Sequence, residues 1–247
     1  MDIKGKNALI TGGAIRVGKA ITLGLAQAGV NVVINYNRDA EQAKITAEEA
    51  KKMGVSALPV QANIASWEQV KRMFSQIHED FGDIDILVNN ASVFKKTSIP
   101  TDSIEDWQAT VDVLVNGAFY VSNLAAKDML KKQEGAIVNI VDLSIWEPWK
   151  SYTAHAVGKS ALYALTRQFA IELHPYVRVN AIALGPVLPP VDYSPDRIQK
   201  SADRTLLNRW GTPEDVAEAV VFLVNANFIT ADVITVDGGQ RYGHRKL

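Results

Sequence analysis

Three ionisable residues, Asp142, His155 and Lys159, lie where a short apolar run of the chain gives way to a helical pattern. The run at residues 136–142 is typical of a buried strand, and Asp142 is its last residue. His155 and Lys159 stand four residues apart, so both side chains lie on one face of the following helix. A carboxylate, an imidazole and an ammonium group placed together could exchange a proton with a substrate. The alternative is a capping Asp followed by two ordinary surface residues.

The composition narrows the classes of protein. The chain has 247 residues, 47% of them hydrophobic, which suffices for one large α/β domain or two small ones, and no linker divides it. A formal net charge of −1 argues against nucleic-acid and anionic-membrane partners. The absence of Cys excludes disulfides and thiolate metal sites. Because the first strand begins near Met1 and no apolar run could span a bilayer, we expect a cytoplasmic protein without a signal peptide.

Seven apolar runs rich in β-branched residues alternate with segments of helical period. This alternation predicts an α/β fold with a doubly wound parallel sheet and right-handed crossovers. The strands are apolar throughout, as expected when helices cover both sheet faces. The strands are predicted at residues 7–11, 30–35, 56–61, 84–90, 136–142, 177–184 and 231–237, and the helices at 19–29, 40–54, 66–82, 103–130, 153–173 and 213–225.

A glycine-rich turn follows the first strand. It reads Thr11-Gly12-Gly13-Ala14-Ile15-Arg16-Val17-Gly18 and leads into the first helix. Glycines at such a place allow a tight turn and let the N–H groups at the helix start approach a pyrophosphate. The turn therefore predicts a dinucleotide site, although an ordinary strand-to-helix turn is the alternative.

The motifs together resemble the short-chain dehydrogenase/reductase family along the whole chain. Besides the glycine turn and the residues from Asp142 to Lys159, the resemblance rests on Asn89-Asn90-Ala91, Asn116, the segment 209–215 and Val236-Asp237-Gly238-Gly239. It implies one Rossmann-type domain over residues 1–247, a nicotinamide cofactor and commonly a homotetramer.

Within this family the sequence is most similar to the pteridine reductase branch. Arg16 stands where the family's second glycine is usual, and Asp142 stands where most members have Ser. Phe94, after Asn90-Ala91-Ser92, occupies the place of an aromatic ring that stacks on a pterin. Physically, such a ring could hold a flat heteroaromatic against the nicotinamide; a Phe that only anchors its loop is the alternative.

The catalytic motif departs from the family. The usual Tyr-x-x-x-Lys reads His155-Ala156-Val157-Gly158-Lys159, so an imidazole replaces the phenol that donates the proton. Histidine exchanges protons near neutral pH, and Asp142 could stabilise its cationic form. We expect His155 to be the proton donor. Tyr152, which precedes the helix, is better placed to line the pocket.

The resemblance also implies roles for other residues. Lys159 would bridge the cofactor ribose, and Asn116 would bend the long helix and hold a water. Asn63 would meet the adenine, or else cap the helix that begins after Ser66. The implied catalytic set is Asp142, His155, Lys159 and Asn116; the cofactor set is Thr11, Gly12, Arg16, Val17, Gly18, Tyr36, Asn37, Arg38, Asn63, Ile64, Asn90, Ala91, Ser92, Lys159, Gly185, Pro186 and Val187; and the substrate set is Arg16, Phe94, Asp142, Tyr152, His155 and Leu188.

The end of the second strand predicts the choice of cofactor. A site that selects NAD carries an acidic residue there, whereas this chain reads Asn35-Tyr36-Asn37-Arg38. Arg38 can pair with a 2′-phosphate, and Arg16 adds positive charge along the phosphate path. We therefore expect a preference for NADP(H), with NAD(H) possible because Asp39 lies next to Arg38.

Two further features concern the substrate and the assembly. Residues 185–212 are Pro-rich with little strand character, which predicts a flexible substrate lid with Leu188, Tyr193 and Trp210 as apolar contacts. The helices at 102–131 and 153–173 have apolar residues over much of their circumference, which predicts a homotetramer or at least a dimer. The residues that indicate this surface are Val113, Phe119, Leu162, Leu165 and Phe169.

The sequence thus predicts an NADPH-dependent reductase of a small pterin-like, folate-like or other flat C=N or C=O compound. The alternatives are a carbonyl reductase of the 3-oxoacyl or sugar type, and a nucleotide-binding pseudoenzyme that has lost the family Tyr. No metal site is expected, because His78 and His174 have no companions at ligand spacing.

Overall fold

One parallel sheet of seven strands organises the chain in the computed structural model, which describes residues 1–190 and 193–245. The strand order is β3-β2-β1-β4-β5-β6-β7, so the direction of winding reverses between β1 and β4. All seven strands predicted from the sequence are confirmed, with bounds that differ by a few residues. The strands are β1 Asn7–Ile10, β2 Asn31–Tyr36, β3 Ala57–Gln61, β4 Ile86–Asn89, β5 Gly135–Asp142, β6 Val177–Leu184 and β7 Val233–Val236.

The sheet register brings the carboxyl ends of the central strands to one edge. Ile10 of β1 pairs with Val88 of β4, and Asn89 of β4 pairs with Asn139 of β5. The residues that follow β1, β4 and β5 therefore face a common crevice, where the order of the strands reverses. Open parallel sheets bind their ligands at this position.

Helices cover both faces of the sheet. On one face Ile21 and Leu25 pack with Val220 over β1 and β2, and on the other Phe74 and Met129 pack over β1, β3, β4 and β5. Burial of strand residues on both sides explains why the strands are apolar throughout. The helices are α1 Arg16–Gln27, α2 Ala40–Lys51, α3 Trp67–Asp80, α4 Glu105–Val111, α5 Ala118–Lys132, α6 Thr153–Glu172, α7 Pro195–Ala202 and α8 Pro213–Asn225.

Three predictions about helices need correction. The segment 103–130 is not one α-helix, because a π-helical turn at Asp112–Gly117 separates α4 from α5. The predicted lid at 185–212 contains a helix, α7. Ser194 caps the start of this helix, because its side chain accepts a hydrogen bond from the N–H of Arg197. Leu162 is only 2% exposed and packs in the core, so it adds nothing to an outward apolar surface. None of the helices described here has the length and apolar character needed to cross a bilayer.

Candidate active site

Hydrogen bonds from the end of the neighbouring strand β4 fix the conformation of the turn after β1. The side-chain amide of Asn90 donates to the carbonyl oxygens of Thr11 and Gly12, each at 3.0 Å. The N–H of Gly12 donates to the buried Asn35 side chain at 3.4 Å. Gly12 has a φ of +61°, which an L-residue rarely adopts. The turn is therefore shaped by its neighbours before any ligand binds.

The start of α1 approaches this turn very closely. A Cβ at Gly18 would lie 2.0 Å from the carbonyl oxygen of Gly12, so only glycine fits. No side chain caps the helix, whose N-cap residue is Ile15, and the first N–H groups of α1 are not satisfied by a capping side chain. Arg16 adopts a φ of +54°, the left-handed region that a glycine would favour at this position. These features fit a dinucleotide pyrophosphate at the helix start.

A single cavity of about 930 Å³ extends from this turn past the end of β5 to the lid. Large pockets at the strand ends of such sheets are the usual binding sites of nucleotides and substrates. All but two of the residues predicted for the site line this cavity. They are Gly12, Arg16, Val17, Gly18, Tyr36, Asn37, Arg38, Asn63, Ile64, Asn90, Ala91, Ser92, Phe94, Asp142, Tyr152, His155, Lys159, Gly185, Pro186, Val187 and Leu188.

The two exceptions are Thr11 and Asn116. Thr11 is 1% exposed, and its hydroxyl accepts the N–H groups of Asn90 and Ala91, so its contacts join β1 to the end of β4. Asn116 lies in the π-helical turn and donates its side-chain amide to Asp112 at 2.8 Å. The predicted interruption of the helix at Asn116 is confirmed, but its side chain contacts the helix rather than the cavity.

Asp142, His155 and Lys159 come together in the middle of the cavity wall. The Nε2 of His155 lies 2.6 Å from Oδ2 of Asp142, and the His155 side chain is only 3% exposed. Lys159 is also buried, and its ammonium donates to the carbonyl oxygen of Ile140 at 2.7 Å. The alternative of a capping Asp with two surface residues is therefore wrong for His155 and Lys159. Asp142 does accept the N–H of Ser144, so it also has a capping role.

The charges of this cluster balance one another. Burial favours the neutral form of Asp142, but the hydrogen bond from His155, the charge of Lys159 and the bond from Ser144 outweigh it and leave the pKa of the carboxyl lowered. Burial lowers the pKa of the Lys159 ammonium, and the negative charge of Asp142 opposes that shift. Asp142 is thus an anion that compensates the buried ammonium of Lys159.

Both ring nitrogens of His155 are engaged. Nδ1 lies 3.2 Å from the carbonyl oxygen of Val93, and Nε2 faces the carboxylate of Asp142. A carbonyl and a carboxylate only accept hydrogen bonds, so both contacts are satisfied together when the ring is protonated at both nitrogens. The cluster is therefore arranged to stabilise an imidazolium next to Asp142.

Aromatic rings from the segments that follow β4 and β5 lie against the imidazole. Trp149 lies nearly parallel to the His155 ring, with centroids 5.8 Å apart and an interplanar angle of 12°. Phe94 meets His155 edge-on at 4.9 Å and stacks on Tyr152 at 4.5 Å. Phe94 is 52% exposed although Tyr152 covers it, so it keeps apolar surface at the cavity. Tyr152 directly precedes α6, as predicted.

At the other end of the cavity lie Tyr36, Asn37, Arg38 and Asn63. The alternative role of Asn63 as a helix cap is wrong, because Ser66 caps α3 itself by accepting the N–H of Gln69. Asn63 instead accepts the N–H of Ala65 at 3.1 Å within the turn that leads to α3.

His78 does have companions, contrary to the prediction. Its Nε2 lies 2.9 Å from Oδ2 of Asp128, and Asp83 completes a group whose ligand atoms lie within 4.8 Å. Lys131 pairs with Asp83 at 3.1 Å, and the N–H of Ile84 donates to Asp128. The acidic groups are thus balanced by protein cations and donors. His174 contacts only the carbonyl of Ile171 in the described part of the chain.

Several residues of the cavity were missed by the sequence analysis. Trp149 stacks on His155 and Ser144 contacts Asp142, and the cavity is also lined by Trp149, Lys150, Arg197 and Arg204. The i,i+4 and i,i+7 spacing of Arg197, Ser201 and Arg204 was a usable signal once a helix was assigned to the lid. No sequence pattern indicated that Trp149 would stack on His155.

The strand order, the glycine turn and the cavity at the point of reversal define a dinucleotide-binding α/β protein. Residues 13–241 match the family profile described as enoyl-(acyl carrier protein) reductase. A 3-oxoacyl-[acyl-carrier-protein] reductase of Staphylococcus epidermidis is 32% identical over 242 residues, with 95% of this chain and 98% of that protein covered. The chain belongs to the short-chain dehydrogenase/reductase family.

Solved structures of two other proteins are also similar to this one. An alternative dihydrofolate reductase from Brucella canis, complexed with NADP, has a TM-score of 0.90 and 30% identity over 97% of this chain and 95% of its own. A gluconate 5-dehydrogenase from Burkholderia cenocepacia, in complex with NADP and tartrate, has a TM-score of 0.89 and 27% identity, with 96% of each chain covered.

Proposed function

We propose that this protein is an NADP(H)-dependent reductase of a flat C=N or C=O compound of the pterin or folate type. The observation that carries the proposal is that one cavity joins the glycine turn, the Asp142–His155–Lys159 cluster and the aromatic side chain of Phe94. The turn would hold the pyrophosphate of a dinucleotide, and the cluster lines the same cavity, because α1 and the end of β5 open onto one crevice.

The cofactor preference rests on charge. Arg38 is exposed at the cavity and has no carboxylate partner among the described residues, so its guanidinium is available to a 2′-phosphate. Arg16 adds a second cation near the start of α1. The two similar structures that contain NADP support the same preference.

A bound NADPH supplies the hydride, and the residues of the chain supply position and the proton. Phe94 and Tyr152 hold a flat substrate beside the cluster, and Lys159 contributes positive charge where negative charge develops on the substrate. When hydride reaches the carbon of a C=N or C=O group, the nitrogen or oxygen takes one proton from the Asp142–His155 pair. The neutral imidazole that remains is reprotonated from solvent.

The geometry refines the role predicted for His155. Since both ring nitrogens contact protein acceptors, His155 cannot donate to a substrate without releasing one of them. We propose that the longer contact, to Val93, opens, or that the proton moves through Asp142, which lies 2.6 Å from Nε2 and also lines the cavity. In both routes the imidazolium is the source of the proton.

A second candidate function is carbonyl reduction of a 3-oxoacyl or sugar-type substrate. The similar proteins named as 3-oxoacyl-carrier-protein reductase and gluconate 5-dehydrogenase favour it. The third candidate is a nucleotide-binding pseudoenzyme, which replacement of the family Tyr suggests. The buried cluster argues against loss of function, because a buried ion pair adds little stability over apolar residues of similar size and would have no reason to persist without a use.

The test is NADPH oxidation, followed by absorbance, with dihydropterins, dihydrofolate, quinones, 3-oxoacyl thioesters and keto sugars, with NADPH binding measured in parallel. Turnover of dihydropterins or dihydrofolate above the other compounds is the expected result. Turnover of only keto compounds would favour the second candidate. Tight NADPH binding without turnover of any compound would favour the pseudoenzyme.

We also propose a homotetramer. Phe119 is 44% exposed and Val157 is 45% exposed, on α5 and α6 respectively, and Trp107 of α4 is 38% exposed. Apolar side chains exposed on neighbouring helices are typical of a subunit interface. Light scattering should give a mass near four times 27.0 kDa, and a monomer at micromolar concentration would contradict the proposal.

A further inference from the structure

The lid helix α7 presents a cationic face to the cavity. Arg197, Ser201 and Arg204 line the cavity and follow one another at i, i+4 and i+7, the spacing of a single helix face. Arg204 stands in the turn directly after α7. A lid that only closed over an apolar substrate would carry apolar residues on this face.

The adjacent face of α7, about 100° around the helix, holds the helix in this orientation. The indole N–H of Trp210 donates to the carbonyl oxygen of Ile198 at 2.8 Å, and Ala202 is 5% exposed. Thr205 is fully buried, and its hydroxyl donates to the carbonyl oxygen of Ala202. Residues 198, 202 and 205 each lie one position after a residue of the cavity face. One position turns the helix by about 100°, so the anchored face differs from the cavity face.

Among the residues that the structure describes, no carboxylate pairs with the cations on the cavity face. Within residues 1–190 and 193–245, no ion pair involves Arg197, Arg204 or Lys150, which lines the cavity beside the aromatic rings. In the described part of the chain, the acidic residues that line the cavity are Asp142, which pairs with His155, and Asp39, which adjoins Arg38.

Arg197 is also held in a fixed position. Its guanidinium carbon lies 3.8 Å from the centre of the Tyr193 ring, a close cation–π contact. Tyr193 in turn meets Trp210 edge-on at 6.4 Å. A guanidinium stacked on a ring keeps its N–H groups free to donate in its own plane, which suits the two oxygens of a carboxylate or phosphate.

We propose that α7 recognises an oxyanion, a carboxylate or a phosphate, on the substrate through Arg197 and Arg204. This inference rests on the proposed reductase function and specifies its substrate class. The reducible group would lie beside Phe94 and His155, and the anionic end would point to the lid. Ser201 can donate a further hydrogen bond to the same group.

The test uses ligands of one shape that differ in charge. Binding of 2-naphthoate, 2-naphthyl phosphate and neutral 2-naphthamide to the NADP⁺-loaded protein is measured by isothermal titration calorimetry. We expect at least one of the two anions to bind about tenfold more tightly than the amide, as charge-assisted hydrogen bonds to arginine allow. The anion that binds more tightly shows whether the lid recognises a carboxylate or a phosphate.

The double variant Arg197→Gln/Arg204→Gln should remove this preference and leave the affinity for the amide unchanged. Lys200→Gln, which removes one charge from the same helix at a residue that does not line the cavity, is the matched control and should keep it. Anion and amide binding with equal affinity, or a preference that survives in the double variant, would overturn the inference.

A parallel measurement of NADP⁺ binding separates substrate recognition from cofactor recognition. If the double variant lost NADP⁺ affinity by the same factor as anion affinity, the arginines would serve the cofactor and the inference would be wrong. Failure of the reductase proposal would show in a different assay, as NADPH binding without NADPH oxidation by any compound. The anion preference would then still be tested by calorimetry.

Discussion

Replacing Asp142 by Asn tests whether the buried cluster is held together by charge. The substitution keeps the size of the side chain but removes the anion that lies 2.6 Å from His155 and near Lys159. The side chains of His155 and Lys159 are nearly inaccessible to water, so solvent cannot replace the lost charge. Removing one partner of a buried pair costs about 3–5 kcal/mol. Because Asn can still accept from Ser144, we expect the lower end, about 3 kcal/mol.

The assay is thermal unfolding at pH 7. For a domain of this size, each kcal/mol lowers Tm by about 2–4 °C, so Asp142→Asn should melt about 6–12 °C below the wild type. Asp85→Asn is the matched control: Asp85 is also buried and pairs with Lys132 at 2.7 Å, but lies at the other end of the sheet. It should lower Tm yet leave NADPH oxidation at low temperature intact, whereas Asp142→Asn should lower both.

The pH dependence gives this prediction a direction. The pKa of Asp142 is lowered from its ordinary value of 3.8, so the charge stabilises the folded state fully above about pH 4 and the stabilisation is lost as the pH falls through the lowered pKa. The gap in stability between the wild type and Asp142→Asn should narrow as the pH falls below about 4, where the Asp142 carboxylate of the wild type becomes protonated. The reasoning would be refuted if Asp142→Asn melted within about 2 °C of the wild type at pH 7. It would also be refuted if a double-mutant cycle of Asp142→Asn with His155→Gln gave a coupling energy below about 0.5 kcal/mol.

Four other variants probe the rest of the site. His155→Ala should lower kcat by about 10²- to 10⁴-fold, and His155→Tyr should keep or raise turnover while moving the pH optimum upward; full turnover by His155→Ala would exclude His155 as the proton source. Arg38→Asp should lower the ratio of NADPH to NADH affinity by at least about tenfold, as measured by fluorescence titration, and an unchanged ratio would remove Arg38 from the 2′-phosphate site. Gly18→Ala would place Cβ 2.0 Å from the Gly12 carbonyl oxygen, so it should weaken NADPH binding and cost about 1–3 kcal/mol in chemical denaturation; normal binding would show that the turn can shift.

The fold was largely predictable because its signals are local. Each strand is a short apolar run, and Ser66 and Thr212 mark the starts of their helices by side-chain caps. The π-helical turn at Asp112–Gly117 was harder to predict, because only the placement of Asn116 and Gly117 hinted at it. Helix α7 was missed because eight residues beginning with Pro195 in a Pro-rich segment have too short a pattern to be distinguished from a loop.

The sequence predicted which residues form the site, but not the contacts that these residues make. The strand ends and the i,i+4 spacing predicted that Asp142, His155 and Lys159 would meet, and they do. That Nδ1 of His155 faces the Val93 carbonyl depends on the path of a loop after β4, which no periodicity specifies. The stacking of Trp149 on His155 depends likewise on the loop that links β5 to α6.

Asp142 and His155 should act as one unit, which yields a final prediction. A protonated imidazole with two engaged nitrogens needs a full negative charge beside it, and a serine hydroxyl, which the family usually has at position 142, cannot supply one. A tyrosine at position 155 has no such requirement, because a phenol donates from a neutral state. Asp142→Ser should therefore lower kcat in the His155 protein by nearly as much as His155→Ala does, and the two losses should not add. In the His155→Tyr background the same Asp142→Ser substitution should be tolerated. Equal losses in both backgrounds, measured as kcat for NADPH oxidation at saturating substrate, would show that Asp142 acts independently of residue 155.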